Sequence, residues 1–230
     1  MKKLLLFVLC YTNFSLFCDL RQDIFAQIYH VGFWADEETV SGHGSKLSET
    51  IEIREALPKL FRELQIKSML DLPCGDFNWM KSVNLDGIAY TGADIVPDLI
   101  EKNQTLYGSI NKKFVCLDLV NGTLPTTDIV LCRDCLVHLA FKDIFAAIEN
   151  LKSSKSKYLL ITTYIGLFYN QDIFTGEWRP INLQLPPFNF PKPIVIIDEK
   201  SPQGFDKDYV KCLGLWRTED IRLEKEGEIQ

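Results

Sequence analysis

The sequence predicts an α/β fold: three layers, with helices packed on a sheet of about seven strands, mostly parallel with an antiparallel last strand. Three observations carry this expectation. Short runs that are apolar on both faces recur at residues 68–72, 88–95, 113–117, 127–132 and 157–164, as strands of a parallel sheet covered on both sides require. Helical stretches at 98–107 and 141–151 alternate with them. Two further apolar runs, 194–198 and 209–216, are joined by a segment long enough for a loose hairpin and so are expected antiparallel to each other.

Composition agrees with a single domain. The chain has 230 residues, 47% apolar and 24% charged, which is the profile of a protein with a real core. The net charge of -6 and the lack of a dense Lys/Arg stripe argue against a nucleic-acid partner. Seven cysteines, an odd number scattered through apolar segments, do not form a disulfide framework. Free thiols suit a reducing compartment and favour the cytoplasm.

Taken in order, residues 1–18 open with Met1-Lys2-Lys3 and an apolar run. They read either as a secretory signal, which leaves export or membrane association open, or as an N-terminal amphipathic or buried helix. The run is too short and too polar for a stable membrane span. Residues 19–47 are polar and mixed, ending in Ser41-Gly42-His43-Gly44-Ser45, and are expected to be a loop or cap. A core region covers 48–165, beginning with a helix whose apolar stripe is Ile51, Ala56, Leu57, Leu60, Phe61 and Leu64. Residues 166–193 carry five prolines and several aromatics, so they form an irregular insertion rather than another crossover helix. Residues 194–230 supply the final strand pair and a tail.

Ligands of an open parallel sheet bind beyond the carboxyl ends of its strands, where strand order reverses. Three of the expected strands end on or next to an aspartate: Asp71, Asp94 and Asp118. A carboxylate there accepts hydrogen bonds from ribose hydroxyls, a base amino group or a cationic ligand; each alone also reads as a helix cap or turn former. After Asp71 come Cys74, Gly75 and Asp76, where Gly75 permits a tight turn and close backbone approach. A helix is expected to start near Asp76 or Phe77, its amides facing the pocket. The run lacks G-x-G-x-x-G, and Asp76 would repel a pyrophosphate while tolerating an ammonium.

This ordered series resembles the class I, Rossmann-like, S-adenosylmethionine (SAM)-dependent methyltransferases across about residues 48–165, and more weakly to 216. Residues 68–76 are similar to the family's first motif, departing from it at Pro73 and Cys74. Tyr90-Thr91-Gly92-Ala93-Asp94-Ile95 is similar to the second, Asp118-Leu119 to the third, and residues 128–139 to the fourth-strand pattern ending in His138-Leu139. The resemblance implies SAM as cofactor, held through Asp71, Cys74, Gly75, Asp76, Asp94, Ile95, Asp118, Leu119 and Arg133. Asp134 and His138 are the candidate proton acceptors, although methyl transfer often needs little beyond alignment of nucleophile, methyl and sulfonium.

Cys132, Cys135 and His138 have ligand-like spacing, but no second Cys/His pair lies nearby to complete a zinc site, and no metal is expected. Arg54, Tyr164, Trp178 and Arg179 are candidate acceptor-binding residues; either guanidinium suits a carboxylate, and Trp178 suits a ring or sugar. The expected function is methyl transfer to a small-molecule or glycan-type acceptor. The alternatives are a binding protein of the same fold without catalytic activity, exported if residues 1–18 are a signal, and an NAD-linked oxidoreductase, which the missing glycines disfavour. Sequons at Asn103 and Asn121 matter only in a secreted chain.

Overall fold

The computed structural model describes residues 20–200 and 208–223. The signal-like stretch 1–18 lies outside the described residues. Seven strands form one sheet: β1 (Ser68–Asp71), β2 (Ala89–Asp94), β3 (Lys112–Cys116), β4 (Ile129–Cys132), β5 (Tyr158–Ile165), β6 (Val195–Asp198) and β7 (Val210–Arg217). Their order is β3-β2-β1-β4-β5-β7-β6. Neighbours from β3 through β5 pair in parallel, and β7 runs antiparallel to both β5 and β6. This is the expected α/β architecture, with the order reversing between β1 and β4.

The central strands are buried on both faces, and alternate residues feed two cores. Leu70, Val130, Cys132, Leu159 and Ile161 point into one; Met69, Ile129, Leu131 and Leu160 point into the other. The first core is covered by α4 (Phe141–Ser153) through Ile144, Ala147, Ile148 and Leu151. The second is covered by α2 (Ile51–Glu63) through Ile53, Leu57, Leu60 and Phe61, with α3 (Pro97–Tyr107) adding Ile100.

Two expectations are corrected. Residues 20–30, anticipated as part of a loop, form a helix, α1. Arg21, Phe25 and Ile28 recur at helical spacing on its inner face, and that stripe is what folds it onto the sheet edge. The helix expected after β1 is absent: residues 76–88 are turns with one short 3-10 segment, Met80–Ser82. Two features oppose it. The Asp76 carboxylate takes the amide of Asn78 at 3.1 Å, a local bond that competes with the helix ladder. Phe77 adopts a left-handed φ of 60° because its ring is locked among Tyr90, Tyr107 and Phe114.

Residues 166–193 carry no helix or strand, yet they are part of the core. Ile181, Leu183, Phe188 and Phe190 are fully or almost fully buried, and Trp216 Nε1 donates to the Pro191 carbonyl at 2.7 Å. Among the described residues no helix is long and apolar enough to cross a membrane, and Cys74, Cys116, Cys132, Cys135 and Cys212 are unbridged.

Because Phe188 fills a closed space between the insertion and α4, Phe188→Ala is expected to destabilise the fold by about 3–5 kcal/mol. Urea denaturation measures this. A loss below about 1 kcal/mol would mean that the insertion is a loosely held flap, not core.

Candidate functional site

A cavity of about 820 Å³ opens at the carboxyl ends of β1 to β5, at the point where strand order reverses. Asp71, Asp94 and Asp118 all line it, together with Cys74, Gly75, Ile95, Leu119, Arg133, Asp134, His138, Tyr164 and Trp178. The parallel register puts the tips of β1 and β2 side by side: Asp71 pairs with Gly92, two residues short of Asp94.

Each buried aspartate is compensated differently. Asp71 accepts the Tyr90 hydroxyl at 2.6 Å on Oδ2. Burial pushes its carboxyl up to about 7, with the Tyr90 bond and the Arg133 charge opposing the rise. Asp94 accepts backbone amides from Gly75 at 3.2 Å and Val96 at 3.1 Å; burial still pushes it up to about 6. Asp118 accepts the Val120 amide at 2.9 Å and forms an ion pair with Arg21 of α1 at 2.8 Å.

Gly75 has a φ of 54°, and a Cβ there would collide with Ser41 Oγ. The glycine is therefore required by the 41–45 loop, which packs directly on the turn after β1. Asp76 belongs to the same contact. Its carboxylate accepts Thr39 Oγ1 at 2.7 Å and the Val40 amide at 3.0 Å, and it does not line the cavity. It faces the N-terminal loop, so it is not set to meet a ligand ammonium. Asn103 is also internal, donating to the Gly75 carbonyl at 2.7 Å with 1% exposure, which removes it as a glycosylation position in the folded chain.

The far wall holds an ion cluster. Arg133 donates to Glu199 at 2.6 Å and to the Gly44 carbonyl at 2.8 Å, and lies over the Trp79 ring. Burial works against its charge, but Glu199 and Asp134 outweigh it and hold the guanidinium firmly protonated. Asp134 Oδ2 meets Lys211 Nζ and, at 3.2 Å, Arg133 Nη1. Burial pushes this carboxyl up, but Lys211 and Arg133 more than offset it, so it stays ionised and is a poor base. Its backbone is left-handed, with a φ of 52°, a conformation that an aspartate tolerates better than most residues.

His138 is better suited to accept a proton. Nδ1 lies 2.8 Å from the Glu177 carbonyl, which can only accept, so Nδ1 carries the hydrogen and Nε2 keeps a lone pair. Burial holds the imidazole below its usual value. Trp34 packs against the ring with centroids 4.4 Å apart. Cys135 lines the cavity and Cys132 is buried at the end of β4, and among the described residues no group of three or more His, Cys, Asp or Glu side chains gathers as a metal site.

Two expected acceptor-binding residues lie elsewhere. Arg54 donates to the Leu47 carbonyl at 2.9 Å and Thr50 Oγ1 at 3.3 Å, away from the cavity. Arg179 is buried with its guanidinium on the carbonyls of Leu136 and Leu139, both at 2.7 Å, and of Gln171 at 3.0 Å. Both arginines stabilise loops instead of offering a free fork. Tyr164 and Trp178 do line the cavity, edge-to-face at 6.3 Å.

Sequence reasoning missed Arg21, Trp34, Lys211 and Glu199. Only Arg21 left a legible signal: a cation on the apolar stripe of a helix, with Phe25 and Ile28 above it, needs a buried partner. The others are brought in from distant segments.

No family model and no curated protein matches the sequence. Solved structures do. A SAM-dependent methyltransferase from Leishmania major is similar at 12% identity, over 76% of this chain and 73% of that one, with a TM-score of 0.57. The N-methyltransferase NodS from Bradyrhizobium japonicum is similar at 14% identity, over 74% of this chain and 96% of its own, with a TM-score of 0.53. The 4+2 cyclase SpnF follows at 13% identity, 71% and 82% coverage and 0.51. The chain therefore has the class I SAM-dependent methyltransferase fold, in agreement with its strand order and with the sequence resemblance.

The raised carboxyls make stability pH-dependent. From about pH 4 to about pH 7 the folded chain keeps protons on Asp71 and Asp94 that the unfolded chain has released, so the stability they contribute is lost as pH rises through that window. Asp71→Asn is expected to reduce this decline by roughly 2–4 kcal/mol. Thermal melts of the ligand-free protein at pH 5 and pH 8 measure it; an unaltered pH dependence in the variant removes Asp71 as a source.

Proposed function

We propose that this chain is a SAM-dependent methyltransferase acting on a small-molecule or glycan-type acceptor. The observation that carries the reading is the convergence of Asp71, Asp94 and Asp118, from three adjacent strand tips, on one cavity. This donor set fits the cofactor. Asp71 Oδ1 has no partner among the described residues and suits an ammonium. Asp94, positioned by the Gly75 and Val96 amides, suits the ribose hydroxyls, and Asp118 suits the adenine amino group. When bound, SAM supplies an electrophilic methyl on its sulfonium.

The chain's own groups serve the acceptor. His138 Nε2 takes the proton from the attacking hydroxyl or amine while Trp34 and the Glu177 carbonyl fix the ring. Asp134, already ionised and paired, orients the acceptor instead of deprotonating it. Tyr164, Trp178 and Tyr209 form an aromatic wall against which a ring or sugar stacks. With the cations of the far wall engaged by carboxylates, an anionic acceptor is disfavoured and an uncharged one favoured.

One observation favours the second reading, a binding protein of this fold without catalysis: the turn after β1 is not followed by a helix to aim amides at a ligand.

Calorimetry with SAM, S-adenosylhomocysteine and NAD tests the cofactor. Both sulfur ligands are expected to bind and NAD is not; no binding of either sulfur ligand at millimolar concentration sinks the methyltransferase reading. Asp94→Ala is expected to weaken S-adenosylhomocysteine about tenfold or more. Across a panel of hydroxyl and amine acceptors, His138→Ala is expected to slow methyl transfer by about 10²–10⁴ while keeping cofactor affinity. Cofactor binding without turnover on any acceptor would support the second reading.

A further inference from the structure

We propose that the methyl acceptor is a primary amine, selected over an alcohol by two atoms of the cavity wall that can only accept hydrogen bonds, Asp134 Oδ1 and His138 Nε2. The inference rests on the methyltransferase reading above and narrows it.

Both residues stand on the connection after β4, His138 at the end of a 3-10 turn, Leu136–His138. The Asp134 amide donates to Thr162 Oγ1 on β5 at 2.8 Å. Its carboxylate is held by Lys211, the cross-strand partner of Tyr164, and by Arg133 Nη1 at 3.2 Å. Both cations meet Oδ2, so Oδ1 accepts nothing among the described residues. In His138 the Glu177 carbonyl occupies Nδ1 at 2.8 Å, and Nε2 has no partner among the described residues. The hydroxyl of Tyr164, a residue 6% exposed, is a third such atom. All three residues line the cavity, and none of these atoms belongs to the unpaired polar atoms sealed from solvent, which lie on Arg21, Asp36, His43 and Thr218. Open to the cavity and unserved by the fold, they are where a polar group of a ligand docks.

The three side chains sense one another. Burial lowers the His138 imidazole while the Asp134 charge raises it; burial, and then the Asp134 charge, pushes the Tyr164 hydroxyl up. Asp134 itself is kept ionised by Lys211 and Arg133 against the effect of burial. The wall therefore presents a carboxylate oxygen and an unprotonated imidazole nitrogen, both acceptors only, beside a phenol that can donate or accept. The phenol serves either chemistry, so discrimination falls to the other two.

A primary amine has two N–H donors. It serves both acceptors and keeps its lone pair for the methyl. An alcohol has one O–H and leaves one acceptor unpaired in a wall withdrawn from bulk water. In the transfer, the nitrogen lone pair forms the N–C bond and the S–C bond breaks with its electrons staying on sulfur. His138 Nε2 takes one N–H proton. The rings of Tyr164 and Trp178, edge-to-face at 6.3 Å, pack against the aryl or sugar ring that carries the amine.

Methyl transfer from SAM by the full chain, measured on two matched pairs, tests this: phenethylamine with 2-phenylethanol, and glucosamine with glucose. The pairs also tell an aryl carrier from a sugar. The amine of at least one pair is expected to be methylated on nitrogen, by mass spectrometry, with kcat/KM about tenfold or more above that of its alcohol. Asp134→Asn is the variant, because asparagine tolerates the left-handed backbone there. Lys211 and Arg133 can only donate, so they hold the amide oxygen and turn its NH2 into the cavity, replacing an acceptor with a donor. The variant is expected to lose about tenfold on the amine, to change little on the alcohol, and to keep its affinity for S-adenosylhomocysteine. If it does not fold, the matched pairs on the parent still decide. Equal or better turnover of the alcohols, an unchanged preference in a folded Asp134→Asn, or no methylation of any of the four by a chain that binds S-adenosylhomocysteine would each overturn the proposal. Failure of the parent to bind S-adenosylhomocysteine would instead overturn the methyltransferase reading, and this inference with it.

Discussion

Three carboxylates end adjacent strands of a sheet that is apolar on both faces, and much of the remaining structure answers the cost of burying them. None is satisfied in the same way. A tyrosine hydroxyl from the neighbouring strand serves Asp71, backbone amides from two turns serve Asp94, and a backbone amide plus an arginine from a remote helix serve Asp118. The compensation is incomplete for the first two, whose protonation is displaced toward neutrality. A site of this kind is under-stabilised until something cationic and hydrogen-bonding enters it, which couples the electrostatics of the empty fold to the chemistry of its ligand.

The segments that close the cavity are held by charge as well as packing. On one side Arg21 bridges Asp118 and Asp143, joining α1 to the sheet edge and α4. On the other, Arg133, Asp134, Glu199 and Lys211 form a cluster whose arginine also holds the Gly44 carbonyl and so the 41–45 loop. Breaking a buried pair is costly because it strands a charge, so both covers have defined positions. The loop's approach also explains the sequence of the turn beneath it: Gly75 is needed because Ser41 lies where a side chain would be.

The fold alone does not fix the reaction. A methyltransferase and a 4+2 cyclase are among the proteins with similar structures, at identities too low to carry more than architecture. On the proposed reading the functions part at the side of the cavity lined by His138, Tyr164 and Trp178, where the His138 ring is held by the Glu177 carbonyl.

By itself the sequence determined the sheet. Runs such as 129–132, apolar at every position, or 69–72, broken only by Asp71, have one physical solution, a strand buried on both faces, and their spacing places Asp71, Asp94 and Asp118 at one edge of the resulting sheet. The identity of the cavity floor followed from periodicity, which is a local property. The turn after β1 did not follow, because a helix there loses to contacts that only folding creates: Asp76 with Thr39 and Val40, and Phe77 with three rings from other segments. Arg54 and Arg179 were plausible anion forks until their donors were seen spent on carbonyls. Only the tertiary structure decided which cations pair with which carboxylates and which donor stays unpaired. Those pairings join residues as far apart as Arg21 and Asp143, and such distances are invisible to any pattern read along the chain.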